Sequence, residues 1–170
     1  LLAVCIVASS DPVASQKLIT NSTVTGVCYA GNKINRIYIP PPDVFYKKSG
    51  SKGGASIKVK YTGFTPVPKA AVEYAMSILE SILPAGTKLT ISASWETITI
   101  SGVLANSSIT GYAHGAAIDA QNPYVFYPIA LAEKIAGKDL NDSLNSDINL
   151  RINNTVNWYT GTDGNTPAQN

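Results

Sequence analysis

The stretch from Ser56 to Trp95 constrains the fold more than any other part of the chain. From Ser56 to Phe64, Ile57, Val59 and Tyr61 alternate with Lys58, Lys60 and Thr62. A period of two marks a strand with one apolar face. Thr65-Pro66-Val67-Pro68 then opens a helix, with Thr65 in capping position and proline tolerated in the first turn. Val72, Ala75, Met76, Leu79, Ile82 and Leu83 recur at helical spacing and give one apolar stripe, in which Met76 is core filler. Pro84 and Gly86 end it. Leu89, Ile91, Ala93 and Trp95 alternate with Thr90, Ser92 and Ser94, a second strand with a hydroxyl-lined outer face. A strand, a helix and a strand in that order predict a crossover connection and a parallel pair.

The other elements are shorter. Thr97 to Ile100 continues the alternation of the second strand, and Gly102 breaks it. Residues 103–125 read as loop and carry the single histidine, His114, near Gly111 and Gly115 as an exposed loop residue. A second helix starts near Tyr127-Pro128 and stops at Gly137, a natural C-terminal residue. From Asp147 to Asn153, Ile148, Leu150 and Ile152 share one face, which predicts a strand added at an edge of the sheet. Ile34 to Ile39 fits a short strand stopped by Pro40-Pro41-Pro42. The run KKSGSKGG at 47–54 has linker composition. The expected fold class is α+β, a small mixed β-sheet with two helices. Residues 11–54 form an N-terminal segment and linker, and the main domain occupies 55–170.

Composition bounds the function. Charged residues are 14% of the 170, against a usual ~25%, and Ser, Thr and Asn occupy 43 positions. An uncharged polar surface of that kind suits a secreted or cell-surface protein. A net charge of +2, without a dense basic patch, points away from nucleic acid. Leu1 to Ala8 is an unbroken apolar run followed by Ser9 and Ser10. It fits the remnant of a signal peptide over residues 1–10, with a buried N-terminal strand as the other reading, and it is too short to span a bilayer. If it is removed, Cys28 has no cysteine partner and is expected to be buried. With one His and two Cys, a structural zinc held by this chain alone is not expected.

No catalytic constellation stands out. His114 is the only histidine base, and no serine sits in a G-x-S-x-G elbow. Glu73 and Glu80 are expected to face water, and Glu96 ends a strand. Asp139, Asn141 and Ser143 mimic the start of a calcium loop, but Leu144 and Leu150 replace its glycine and glutamate. Gly50 to Gly54 lacks the spacing of a phosphate loop. Asp163-Gly164 reads as a turn. Asn21, Asn106, Asn141 and Asn153 head glycosylation sequons.

Four segments carry a resemblance. These are Arg36-Ile37-Tyr38-Ile39-Pro40-Pro41-Pro42, the helix Tyr127 to Gly137, Asp147-Ile148-Asn149, and the turn Asn157-Trp158-Tyr159-Thr160-Gly161-Thr162-Asp163-Gly164. From about Ile34 onward the chain resembles secreted bacterial zincin-like zinc-metalloprotease domains, often carried on multidomain surface proteins with C-terminal sorting or adhesion modules. In that family the GTDG turn is followed by an H-E-x-x-H helix, whose two histidines bind zinc and whose glutamate activates the bound water. The present sequence holds no H-E-x-x-H, so no ligand and no general base carries over. The resemblance implies the N-terminal half of such a domain, truncated before its catalytic helix. Zinc belongs to the full-length parent and is not expected here, and an apolar sheet face is left uncovered. It further implies a protein or peptide substrate lying extended along an edge strand. On that expectation the strand 147–153 is the edge, and Asn149, Arg151 and Asn153 border the substrate. The competing reading is a non-catalytic adhesin or glycan-binding module using Thr90, Ser92, Ser94 and the tyrosines Tyr112, Tyr124 and Tyr127.

Overall fold

The computed structural model describes residues 25–31, 40–46, 54–142 and 145–162. The apolar start and Cys5, the strand expected at 34–39, nearly all of the 47–54 linker, the Asn21 sequon, Ser143-Leu144 and the Asp163-Gly164 turn lie outside those residues.

The α+β class is as expected. The strands are β1 (Thr25–Tyr29), β2 (Ser56–Thr62), β3 (Lys88–Glu96), β4 (Val103–Ile109), β5 (Tyr112–His114), β6 (Phe126–Pro128) and β7 (Ile148–Asn153). The helices are α1 (Asp43–Tyr46), α2 (Pro66–Ile82) and α3 (Ile129–Ala136). Five strands form one mixed sheet in the order β1-β4-β7-β3-β2, and β5 pairs with β6. The two-helix expectation gains a third, single-turn helix, α1, whose Phe45 ring meets Tyr74 of α2 edge-on.

The β2-α2-β3 unit forms as its patterning predicts, with β2 and β3 parallel and Ile57, Val59 and Tyr61 opposite Leu89, Ile91 and Ala93. Thr65 occupies the N-cap of α2, but its side chain makes no capping bond. The prolines of the first turn set the entry instead. Glu80 does not simply face water: its carboxylate accepts the backbone N–H of Ile57 at 2.6 Å, tying α2 to the edge strand. Gly63, which ends β2, has φ +76, and a Cβ there would lie 2.6 Å from the Trp95 carbonyl oxygen.

Three expectations change. Residues 103–125 are not a loop, because β4, β5 and a turn of 3-10 helix at Gly115–Ala117 lie within them. Residues 97–99 leave the sheet instead of continuing β3, and Ile98 is buried against the sheet's end. The strand expected at an edge, β7, is the middle strand, parallel to β3 on one side and antiparallel to β4 on the other. Asp147 seats it. Its buried carboxylate accepts the Thr90 N–H at 2.7 Å and the Asn141 side-chain amide at 2.9 Å, and its own N–H donates to Thr90 O. A buried carboxylate is tolerated when its lone pairs are filled in this way.

Buried apolar residues lie both in the sheet, at Ile91 and Ala93, and in a cluster around α3. Ala113, Ile118, Ala120 and Ala132 form a buried cluster with Tyr127, Ala136 and Leu140 against it. Ile129 at the start of α3 is fully enclosed. Gly137 closes α3 in the left-handed conformation.

Candidate functional site

Cross-strand register sorts the sheet into two faces. Ile91, Ala93 and Trp95 of β3 lie opposite Ile148, Leu150 and Ile152 of β7, and Ala105, Ser107 and Ile109 of β4 continue that face. The other face presents Lys58, Lys60, Ser92, Ser94, Glu96, Asn149, Arg151, Asn106 and Ser108.

α2 covers only part of the apolar face. Beside it an open groove of about 250 Å³ runs between Val72, Ala75 and Met76 of the helix and Trp95, Leu150 and Ile152 of the sheet. The segment Trp158-Tyr159-Thr160 closes one side, held by the Trp158 indole N–H donating to Asn153 O at 2.8 Å. Leu150 and Ile152 are only half-buried although they stand in the middle of the sheet, and Ala75 is exposed although it lies on the helix's apolar stripe. A second groove of about 320 Å³, lined by Gly26, Cys28, Ala105, Ser107 and Leu150, shares Ala105 and Leu150 with the first. The apolar face is thus open from the flank of α2 across β7 to β1. At the groove's upper end Phe64 packs against both Tyr61 and Trp95. Burial raises the Tyr61 phenol above its ordinary value of 10.0, with the Glu73 charge adding to it.

Asn149, Arg151 and Asn153 share the polar face of β7, away from the groove, and they are not equivalent. Asn149 is exposed and accepts the Ser146 hydroxyl at 3.0 Å. Arg151 is exposed and ion-paired to Glu96. Asn153 is buried. Its Oδ1 accepts from Ile98 N, Thr155 N and the Thr155 hydroxyl, and its Nδ2 donates to the carbonyls of Ile98 and Val103. That amide holds the 97–103 turn to the end of β7, which also leaves no room for a glycan at the Asn153 sequon. Because β7 is paired on both sides, an extended peptide cannot add to its main chain, and the edge-strand expectation is corrected.

His114 is not an exposed loop residue. It ends β5, half-buried, with its ring edge-on to Phe126 at 5.0 Å. Its Nδ1 is buried without a hydrogen-bond partner among the described residues. Cys28, expected in the core, is exposed on β1. Tyr124 stands 86% exposed, whereas the Tyr127 hydroxyl donates to Asn122 O. No group of three His, Cys, Asp or Glu side chains converges to hold a metal among the described residues, so zinc has no fitting donor set there. No helix is long and apolar enough to cross a membrane among the described residues.

Sequence reasoning expected an uncovered apolar sheet face but did not locate the groove beside α2, and it missed the role of Asp147. Asp147 carried no distinguishing signal, since an acid before a strand is usually solvated. Comparison with protein-family models, curated proteins and solved structures gave no match.

Proposed function

We propose that this chain is the N-terminal half of a secreted zinc-dependent endopeptidase domain, supplying its sheet and one wall of its substrate cleft. The observation that carries the reading is the open apolar face, with Leu150 and Ile152 half-exposed at mid-sheet beside an incompletely covered α2. Burying a residue such as Leu or Ile contributes ~1.5–3 kcal/mol, so a central strand left open on its apolar side calls for another element to cover it. The segment that begins at Asn157 lines the groove through Trp158, Tyr159 and Thr160, and in the family it resembles an H-E-x-x-H helix follows that segment in sequence. When bound, zinc would polarise a water for attack on a peptide carbonyl. The part of the residues described here is to shape the wall, with Trp95 and Trp158 as its aromatic rim.

Reading the gene beyond the codon for Asn170 and purifying the longer product tests this. The expected result is an H-E-x-x-H within a short apolar run, stoichiometric zinc, and peptide hydrolysis abolished by a chelator. A continuation without paired histidines flanking a glutamate overturns it.

The polar face favours a second reading, a non-catalytic glycan-binding or adhesin module. Ser92, Ser94 and Asn149 share the polar face of the sheet with Arg151, which is ion-paired to Glu96, and Tyr124 is 86% exposed. Glycan binding that survives chelation and is lost on Asn149→Ala and Tyr124→Ala together would favour it.

A further inference from the structure

We propose that the aromatic row at the groove's upper end, Tyr61, Phe64 and Trp95, together with Glu73, binds a quaternary ammonium group, with Lys69 as the cation that the ligand displaces. The row is built by the connection between β2 and α2. Gly63, at φ +76, lets the chain pass close to the Trp95 carbonyl oxygen. Phe64 then packs on both neighbouring rings, with centroids 5.2 Å from Tyr61 and 5.6 Å from Trp95. The Tyr61 hydroxyl is buried without a hydrogen-bond partner among the described residues. What Tyr61 offers is therefore its ring face, and a cation already stands over it: the Lys69 ammonium lies 5.1 Å from the ring centroid. A ring quadrupole attracts positive charge placed in that way.

Lys69 is a weak occupant. Its other contact is the Glu73 carboxylate at 3.6 Å, and the two side chains are 46% and 54% exposed. Exposed ion pairs of this kind contribute little. A primary ammonium is also strongly hydrated and has three N–H donors to satisfy. A quaternary ammonium carries the same charge without N–H groups. Its methyl shell gives up water readily and rests on aromatic faces. Once displaced, Lys69 can swing into solvent on its flexible stem, and Glu73, whose charge reaches Tyr61, stays to balance the incoming cation. Trp95 and Pro68 continue from the row into the groove, so an apolar tail on the ligand has a surface to follow. The ligand class is a choline-type group, free in solution or as a lipid headgroup. The inference stands on β2, β3 and the start of α2 and requires neither zinc nor hydrolysis.

Equilibrium dialysis of the full chain against radiolabelled choline tests this. The competitor is the neutral alcohol in which a tert-butyl group replaces the trimethylammonium, which has the same shape without the charge. Choline is expected to bind, and the alcohol is expected not to displace it. Lys69→Met removes the resident cation and should tighten binding several-fold, whereas Tyr61→Leu should weaken it about tenfold. The Lys69 side chain is half-exposed, so that variant keeps the test decisive even if Tyr61→Leu fails to fold. Absence of choline binding to both the unsubstituted chain and Lys69→Met overturns the inference. So does equal competition by the neutral alcohol, or binding to Lys69→Met that is no tighter. Sedimentation with phosphatidylcholine vesicles but not with phosphatidylglycerol vesicles assigns the ligand to a lipid headgroup; binding of free choline without sedimentation assigns it to a solute. Equal sedimentation with both, unaffected by choline, counts against the site. Because no readout uses a metal or a cleaved bond, a failure here is distinct from a failure of the endopeptidase reading.

Discussion

Asn153 shows how a side chain that reads as surface in the sequence becomes structural. Its alternation with Ile152 and its place in a sequon suggest an exposed amide, yet it serves five hydrogen bonds and is 5% exposed. Removing it strands buried main-chain groups, each costing about 1–3 kcal/mol. Asn153→Ala is therefore expected to lower unfolding free energy by about 2–4 kcal/mol, read by urea denaturation, whereas Asn149→Ala should leave it nearly unchanged. Equal, negligible effects would return Asn153 to the surface. Glu133 gives a pH signature. Burial holds its carboxyl above the ordinary 4.5, the Asp147 and Asp139 charges push the same way, and the Leu140 N–H opposes them. The folded state thus binds this proton more tightly than the unfolded chain does, so stability falls as pH rises from 4.5 through the raised value. Glu133→Gln keeps an acceptor for Leu140 and cannot ionise. It should raise the melting temperature at neutral pH, with the gain vanishing in acid; a gain that persists in acid would refute the assignment.

Element ends depend on backbone geometry that two glycines permit. Gly63 and Gly137 both have positive φ, but only Gly63 faces a main-chain oxygen, that of Trp95. At Gly137 an added Cβ meets nothing within 4 Å. Gly137→Ala should then cost only the left-handed penalty of about 1–2 kcal/mol. Gly63→Ala should cost clearly more, because β2 or β3 must also shift, and thermal unfolding of the pair measures the difference. Gly137 was legible, since a glycine after an amphipathic helix has a local cause. The displacement of 97–99 from β3 was not, because Thr97, Ile98 and Thr99 alternate as well as a strand does. What removes them is the Asn153 amide bonding Ile98 on both its N–H and its C=O.

Across the whole molecule the packing is uneven, and stability should follow it. Ile129 is wholly enclosed while Leu150 is half-open to the groove. Ile129→Ala is expected to cost about 2–5 kcal/mol and Leu150→Ala markedly less, compared by denaturant titration. If a further helix covers the groove in a longer gene product, the cost at Leu150 should rise to match; no change would weigh against that cover. The β2-α2-β3 unit, α3 with its glycine stop, and the two-faced character of residues 148–153 all followed from the sequence, because periodicity reports which side of an element meets apolar surroundings. Strand order did not. Alternation assigns a residue to a face, whereas the neighbour on either side is chosen by main-chain groups that every residue carries alike. Only the tertiary structure could therefore place β7 at the centre, bring β1 onto β4, and leave open the groove on which the functional reading rests.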